Sequence, residues 1–275
     1  MYLKAKFMAF TTSLSMSFLS KLFHNIGITA GLLCERGWAE RNAGNLSVRL
    51  SEVPSLPGPR RFILPVKPEF EEGTSLLITA AGARMRDLIR HPEKDIVVLS
   101  FHAGQQEAML YGLPDQEPSS ELLTHLLVHQ MLYTNHPEET VLLHAHVTEL
   151  IAMSHHPNIC EEQGMNDILL RMHAETLFFL PEGIAYPDFG IPGSMALAET
   201  TARAMMKHKV CIWPKHGALA SGPNIQEAFD RLDIVAKAAR IWLQCKAAGF
   251  VPAGISQDEM TQLKAAYFPH QFTAF

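Results

Sequence analysis

Apolar positions along this 275-residue chain switch repeatedly between helical and strand spacing. From Phe18 to Cys34 they recur as on an amphipathic helix, which Gly37 stops. Leu46-Ser47-Val48-Arg49-Leu50 then alternates with period two and predicts a strand. Short apolar runs predict further strands at Phe62–Leu64, Leu76–Thr79, Ile96–Ser100, Val141–His146, Leu177–Leu180 and Val210–Trp213. Helical spacing predicts helices over Ala83–Arg90, Glu121–Tyr133, Met195–Lys207 and Ile225–Ala248. In the last of these Asn224 is an N-cap, Glu227 is placed to complete a capping box, and Phe229, Leu232, Val235, Ala236, Ala239 and Leu243 form a core-facing stripe. Three prolines and a glycine between Ser51 and Pro59 mark an exposed loop too short to link domains. Helix and strand interleave throughout, which predicts one α/β layered domain over residues 1–275, without internal repeats.

The N-terminus adds one complication. Lys4 and Lys6 precede a Phe/Met/Ser-rich stretch that imitates a secretory signal up to Leu22. Thr and Ser interrupt it and no small-x-small cleavage site follows, so residues 1–15 are expected to be a disordered extension or an early start, with translation beginning at Met8 or Met16. No run approaches a membrane span.

Composition narrows the class further. With 47% hydrophobic residues the chain can bury a full core. A net charge of −5 and a pI near 6.3 argue against a nucleic-acid surface and favour a small, anionic ligand. Cys34, Cys160, Cys211 and Cys245 lie far apart without a C-x-x-C pair, which points away from a disulfide framework or thiolate zinc cage and toward a reducing, cytoplasmic setting.

The chemistry concentrates at His144-Ala145-His146, the end of a predicted strand, with His216 downstream. Alternate strand residues share a face, so two imidazoles in H-x-H spacing can address one point. A third histidine and an open position would suit a catalytic divalent ion. Two strand-end histidines satisfied by ordinary hydrogen bonds are the plain alternative. Metallo-β-lactamase-like hydrolases continue as H-x-H-x-D-H, whereas Val147 and Thr148 follow here; Glu149 is too close for a cupin, and the motif lies mid-chain, not on an early barrel strand.

Three anion-compatible segments accompany the histidines. Pro118-Ser119-Ser120-Glu121 opens a helix, where exposed N–H groups and two hydroxyls suit a phosphate. Thr79-Ala80-Ala81-Gly82-Ala83 lies at a strand-to-helix junction, and Asn42-Ala43-Gly44-Asn45 places two amides around a turn. Each alone is an ordinary helix start or turn. His125 and His129 share a helix face and read as an exposed or hydrogen-bonded pair, His155-His156 as solvent-facing, and His173 has no assigned role.

Trp38-Ala39-Glu40-Arg41-Asn42-Ala43-Gly44-Asn45-Leu46-Ser47, Pro118-Ser119-Ser120-Glu121-Leu122, His144-Ala145-His146 and Trp213-Pro214-Lys215-His216-Gly217 occur in an order that resembles the class II, metal-dependent aldolase and adducin-head superfamily. The H-G…G…E-A pattern at His216, Gly217, Gly222, Glu227 and Ala228 is typical of it, and the resemblance runs from about Leu19 to the C-terminus. The Asn-Ala-Gly-Asn and Pro-Ser-Ser-Glu contexts favour its rhamnulose-phosphate branch.

That resemblance implies a three-layer α/β/α sandwich around a largely antiparallel sheet, assembled as a homotetramer with sites near subunit interfaces. It implies that His144, His146 and His216 hold one divalent ion per subunit, zinc above all. Glu121 matches the catalytic carboxylate, and Glu175 a second functional glutamate that reaches a neighbouring subunit's site. Asn42, Asn45, Gly82, Ser119 and Ser120 match phosphate and substrate contacts. The implied reaction is reversible cleavage of L-rhamnulose 1-phosphate, in rhamnose degradation, to dihydroxyacetone phosphate and L-lactaldehyde. An enediolate stabilised by a metal needs no Schiff-base lysine. Alternatives are another sugar-phosphate aldolase or a 4-epimerase of the superfamily, or an adducin-like module without chemistry.

One departure bears on the ligand. The family's glycine loop resembles Thr-Gly-Ser-Gly-Lys, whereas Thr79-Ala80-Ala81-Gly82-Ala83 lacks both the hydroxyl and the ammonium. A lost hydrogen bond to a charged group costs about 1.5–3 kcal/mol, a tenfold or larger effect on affinity. Arg84 or Arg86 is the expected compensation, with an altered ligand as the alternative.

Overall fold

A computed structural model of the chain describes residues 2–53, 59–157, 159 and 161–267, with side chains from 18 onward. The expectation for residues 1–15 therefore falls outside the described side chains, and most of the Ser51–Pro59 loop lies outside the described residues. The first helix, α1, spans Tyr2–Arg36. It closes by hydrogen bonds from Gly37 N to Cys34 O and from Trp38 N to Leu33 O, the pattern of a Schellman end.

Eight strands follow: β1 (Asn45–Leu50), β2 (Arg60–Ile63), β3 (Ser75–Thr79), β4 (Ile96–Phe101), β5 (Glu107–Tyr111), β6 (Val141–Ala145), β7 (Val210–Trp213) and β8 (Gly217–Gly222). They form one sheet in the order β2-β5-β4-β3-β1-β6-β8-β7, with every neighbouring pair antiparallel. The helices between them are α2 (Met85–Leu88), α3 (Leu122–Asn135), α4 (Thr148–Met153), α5 (Glu162–Leu169), α6 (Ala174–Phe179) and α7 (Met195–Ala204), with α8 (Ile225–Ala247) and α9 (Gln257–Tyr267) after the sheet.

The sheet separates two apolar layers by simple alternation. Leu46, Val48, Leu77, Val98, Leu143, Ala218, Ala220 and Ile212 face α1, α2, α4 and α8. Leu76, Ile78, Val97 and Leu99 turn the other way with Leu122 and Leu126 of α3. Leu142, Cys211, Trp213 and Leu219 meet Val128 and Leu132 of α3 and Leu197 of α7 on that same side. Both faces being covered explains why these strands read as apolar runs. Each such Leu, Ile or Val contributes about 1.5–3 kcal/mol of burial. The result is the expected three-layer α/β/α sandwich.

Two expectations need correction. Leu177–Leu180 is not a strand: Leu177 to Phe179 lie in α6, where Thr176 and Leu177 are buried while Phe178 and Phe179 are exposed. Adjacent residues sharing a side follow a helical turn, and a four-residue apolar run does not distinguish the two periods. In α8, Asn224 Oδ1 accepts from Glu227 N at 2.9 Å as expected, but the Glu227 carboxylate lies toward Arg231, 3.8 Å away, instead of closing the capping box.

Candidate active site

Alternation along β6 turns His144 to the same side as Leu142, toward α3. Its Cα partners are Asn45 on β1 and Leu219 on β8, so it sits between two strands, one of which carries a polar group beside it. His146 lies just past the end of β6. His216 comes from the tight β7–β8 connection, where His216 N donates to Trp213 O at 3.1 Å and Lys215 has φ 60°. Proline second and a positive φ third are the marks of a type II turn. Gly217 then starts β8 hard against β6: a Cβ there would lie 2.4 Å from Ala145 O and 3.0 Å from His144 Cε1.

The ligand atoms of His144, His146 and His216 lie within 4.8 Å of one another. Each ring is held from behind. His144 Nδ1–H donates to Ala218 O at 3.0 Å, which leaves Nε2 as a lone pair, and that atom is buried without a hydrogen-bond partner. His146 Nδ1–H donates to Glu40 Oε1 at 2.6 Å. Trp213 stacks on His216 at a centroid distance of 5.1 Å and also touches His144 at 4.6 Å. Burial, then the neighbouring His146, pushes His144 down to about 3; burial, then His144, pushes His216 down to about 4. Burial opposes ionisation of Glu40, but its bond to His146, a backbone hydrogen bond and the nearby imidazoles together outweigh this and hold the carboxyl below its ordinary range. Two neutral rings, His144 and His216, each with an orphaned buried nitrogen, and His146 oriented by Glu40 are a donor set that fits a divalent ion.

Glu121 stands at the N-terminal end of α3 beside this set, only 7% exposed. Its Oε2 lies 3.7 Å from His144 Nε2 and its Oε1 lies 3.6 Å from His216 Nε2. From there a cleft of about 320 Å³ runs along Glu40 to Asn45, Ala80 to Ala83 and Ser119 to Glu121, with His144 and His146 at its floor. Its far wall is zipped by backbone bonds: Ser119 N to Thr79 O at 3.0 Å and Ala81 N to Glu117 O at 2.8 Å. Gly44, at φ 80°, lets the amide loop approach within reach of the His144 carbonyl, 3.0 Å from where a Cβ would stand.

Asn42, Asn45, Gly82, Ser119, Ser120, Glu121, His144 and His146 thus line one cleft, with His216 against Glu121. Glu175 is not among the lining residues; it is exposed on α6, where its carboxylate accepts from His173 Nδ1 at 2.8 Å. Neither Arg84 nor Arg86 lines the cleft; the basic side chain that does is Arg41. Glu40 was not singled out from the sequence. The signal was available in principle, since a ligating histidine seeks a carboxylate for its second nitrogen. His125 and His129 are buried and hydrogen-bonded.

Fold, imidazole set and carboxylate together define a lyase of the class II aldolase type. The chain belongs to the class II aldolase and adducin N-terminal domain family, whose model matches residues 28–243. It is 31% identical over 257 residues to a rhamnulose-1-phosphate aldolase of Bacteroides thetaiotaomicron, covering 90% of this chain and 95% of that one. Among solved structures it is similar to a sugar-phosphate aldolase from Thermotoga maritima, with a TM-score of 0.77, 32% identity, and coverage of 86% and 100% of the two chains. An L-fuculose-1-phosphate aldolase from Thermus thermophilus shares the fold at a TM-score of 0.55 and 21% identity, over 85% of this chain and 99% of the other.

Proposed function

We propose that this enzyme reversibly cleaves L-rhamnulose 1-phosphate to dihydroxyacetone phosphate and L-lactaldehyde, with zinc held by His144, His146 and His216. The observation that carries the reading is a buried carboxylate, Glu121, 3.6–3.7 Å from two of three convergent imidazoles, in a cleft also lined by Arg41, Asn42, Ser119 and Ser120. The similarity to a rhamnulose-1-phosphate aldolase supports the choice of sugar.

Asn42, Asn45, Gly82, Ser119 and Ser120 bind the phosphate and hydroxyl oxygens of the substrate, and Arg41 supplies the positive charge that the Ala80–Ala83 segment lacks. As the C3–C4 bond breaks, a base takes the C4 hydroxyl proton, the aldehyde forms, and the bonding pair stays with C3 as an enediolate. Glu121 delivers a proton to C3, which completes dihydroxyacetone phosphate. When bound, a divalent ion supplies Lewis-acid polarisation of carbonyl and hydroxyl oxygens. Glu175 assists at the aldehyde end of a neighbouring subunit's site, for which its exposed position on α6 is suited.

We infer a homotetramer. Its support is the set of exposed apolar side chains Phe178, Phe179, Phe189 and Ile191, which self-association would cover. A cytoplasmic setting is in keeping with free Cys34, Cys211 and Cys245 and with no described helix being long and apolar enough to cross a membrane. The test is a coupled dihydroxyacetone-phosphate assay on rhamnulose 1-phosphate, fuculose 1-phosphate and ribulose 5-phosphate, with metal analysis. Zinc in stoichiometric amount and highest kcat/KM on the first sugar are expected; preference for either other sugar overturns the assignment.

A further inference from the structure

Behind Glu121 lies a row of buried polar side chains of which the reaction above uses only Asn45. Asn45 Nδ2 is 2.9 Å from Glu121 Oε2, and Asn45 Oδ1 meets His125 Nε2. His125 Nδ1 is 2.6 Å from Ser47 Oγ, and the same hydroxyl is 2.7 Å from His129 Nε2. Ser47, His125 and His129 are wholly buried. Two periodicities produce the row: Asn45 and Ser47 share a face of β1, while Glu121, His125 and His129 recur every four residues along α3.

Counting donors and acceptors fixes the direction of every bond. A carboxylate offers only acceptors, so Asn45 must turn its NH2 to Glu121 and its carbonyl to His125. That carbonyl needs a donor, which puts the His125 proton on Nε2. Burial above all holds both rings neutral, pushing His125 down to about 4 and His129 well below its ordinary value. His125 Nδ1 is therefore a bare acceptor, and Ser47 must donate to it. The Ser47 oxygen then accepts from His129 Nε2–H, which leaves His129 Nδ1 as a lone pair; that atom is buried and has no partner. All four bonds point their donors toward Glu121. An amide in the middle does not pass protons on, so the row transmits orientation and is not a proton wire.

We propose that Ser47, His125 and His129 are positioning residues, which lock the amide of Asn45 so that its NH2 holds Glu121 in place against the imidazole set. The proposal rests on the reading of Glu121 as the proton carrier. With the lock removed, Asn45 can turn its carbonyl to the carboxylate, acceptor against acceptor, and displace it. A buried network of this kind specifies one arrangement where an apolar filling would leave the amide free.

Ser47→Ala removes the central rung. It is expected to lower kcat about tenfold or more while KM and bound metal change by less than about twofold, the split of a group that acts on the chemical step. His125→Gln can offer an amide NH2 to Asn45 and a carbonyl to Ser47, and should recover most of the turnover that His125→Leu loses. A folded, metal-loaded Ser47→Ala with wild-type kcat overturns the proposal, as does Gln performing no better than Leu. Nitrogen-15 imidazole spectra of the wild type keep the question open to test if the variants do not fold. Both rings should appear as neutral Nε2–H tautomers; a His125 proton on Nδ1 refutes the row. Since the spectra need no substrate, they stand or fall apart from the aldolase reading, which a wild type inert toward the sugar phosphates would sink.

Discussion

The two ends of the cleft are built on different terms. At the imidazole end each group is held by another side chain or a specific carbonyl: His144 by Ala218 O, His146 by Glu40, His216 by the face of Trp213. At the Ala80–Ala83 wall the chain contributes backbone and methyl groups, zipped in place by main-chain bonds to the Glu117–Ser119 segment. The first end depends on residue identity and the second on chain conformation. Substitutions should accordingly be severe at one end and mild, or even favourable, at the other.

The largest effect is expected for His144→Ala, which removes the most buried of the three imidazoles, its Nε2 without a partner. Bound metal should be lost and turnover should fall roughly 10⁴-fold or more, because the ion stabilises developing charge by several kcal/mol. Intact metal content in this variant would end the distinction between the two ends. Glu121→Gln keeps the shape and removes the proposed proton carrier; a fall in kcat of roughly 10²- to 10⁴-fold with metal retained is expected from single-turnover kinetics.

Acid should weaken the layer behind the imidazole end. His125 binds a proton near its ordinary 6.5 when unfolded but only near 4 when folded. Between those values the unfolded chain holds more protons, so this stability is complete above pH 6.5 and drains away as pH falls through 4. The loss amounts to roughly 3 kcal/mol, read as the difference in urea unfolding between wild type and His125→Gln at two pH values. Parallel pH profiles would contradict it.

Glu40→Ala should weaken metal affinity by about 10- to 100-fold without emptying the site at saturating zinc, measured by competition with a chelator. The smallest change is at the far end: Ala81→Ser restores a hydroxyl and should lower KM by about tenfold with kcat nearly constant, the sign of uniform phosphate binding. An unchanged KM would mean that the phosphate does not lie against that loop.

How legible each end was follows from the same division. His144 and His146 could be paired from sequence because a strand places alternate residues on one face, and Glu121 because helix starts have a recognisable polar signature. Helix positions along α8 were equally plain, since a long stripe has one periodic reading. Glu40 was hidden because its meeting with His146 depends on a turn in which Arg41 takes φ 50°, a conformation that no side-chain pattern announces. Arg41 was missed, and Arg84 and Arg86 favoured, for the same reason. Strand β8, Gly-Ala-Leu-Ala-Ser-Gly, carries small residues with little strand preference; it is a strand because β6 and β7 pair with it on either side. Leu177–Leu180 was misjudged because four apolar residues fit either period.

Gly217 illustrates what such a site demands of neutral drift. It does not line the cleft and has no side chain, yet any side chain there would strike Ala145 O and the His144 ring, prying β8 from β6 and separating two of the three imidazoles. In a saturation library selected for turnover, position 217 should therefore be as intolerant as the ligands themselves. Intolerance there would record the closeness of two strands, and a survey that equated it with catalysis would credit the wrong atom.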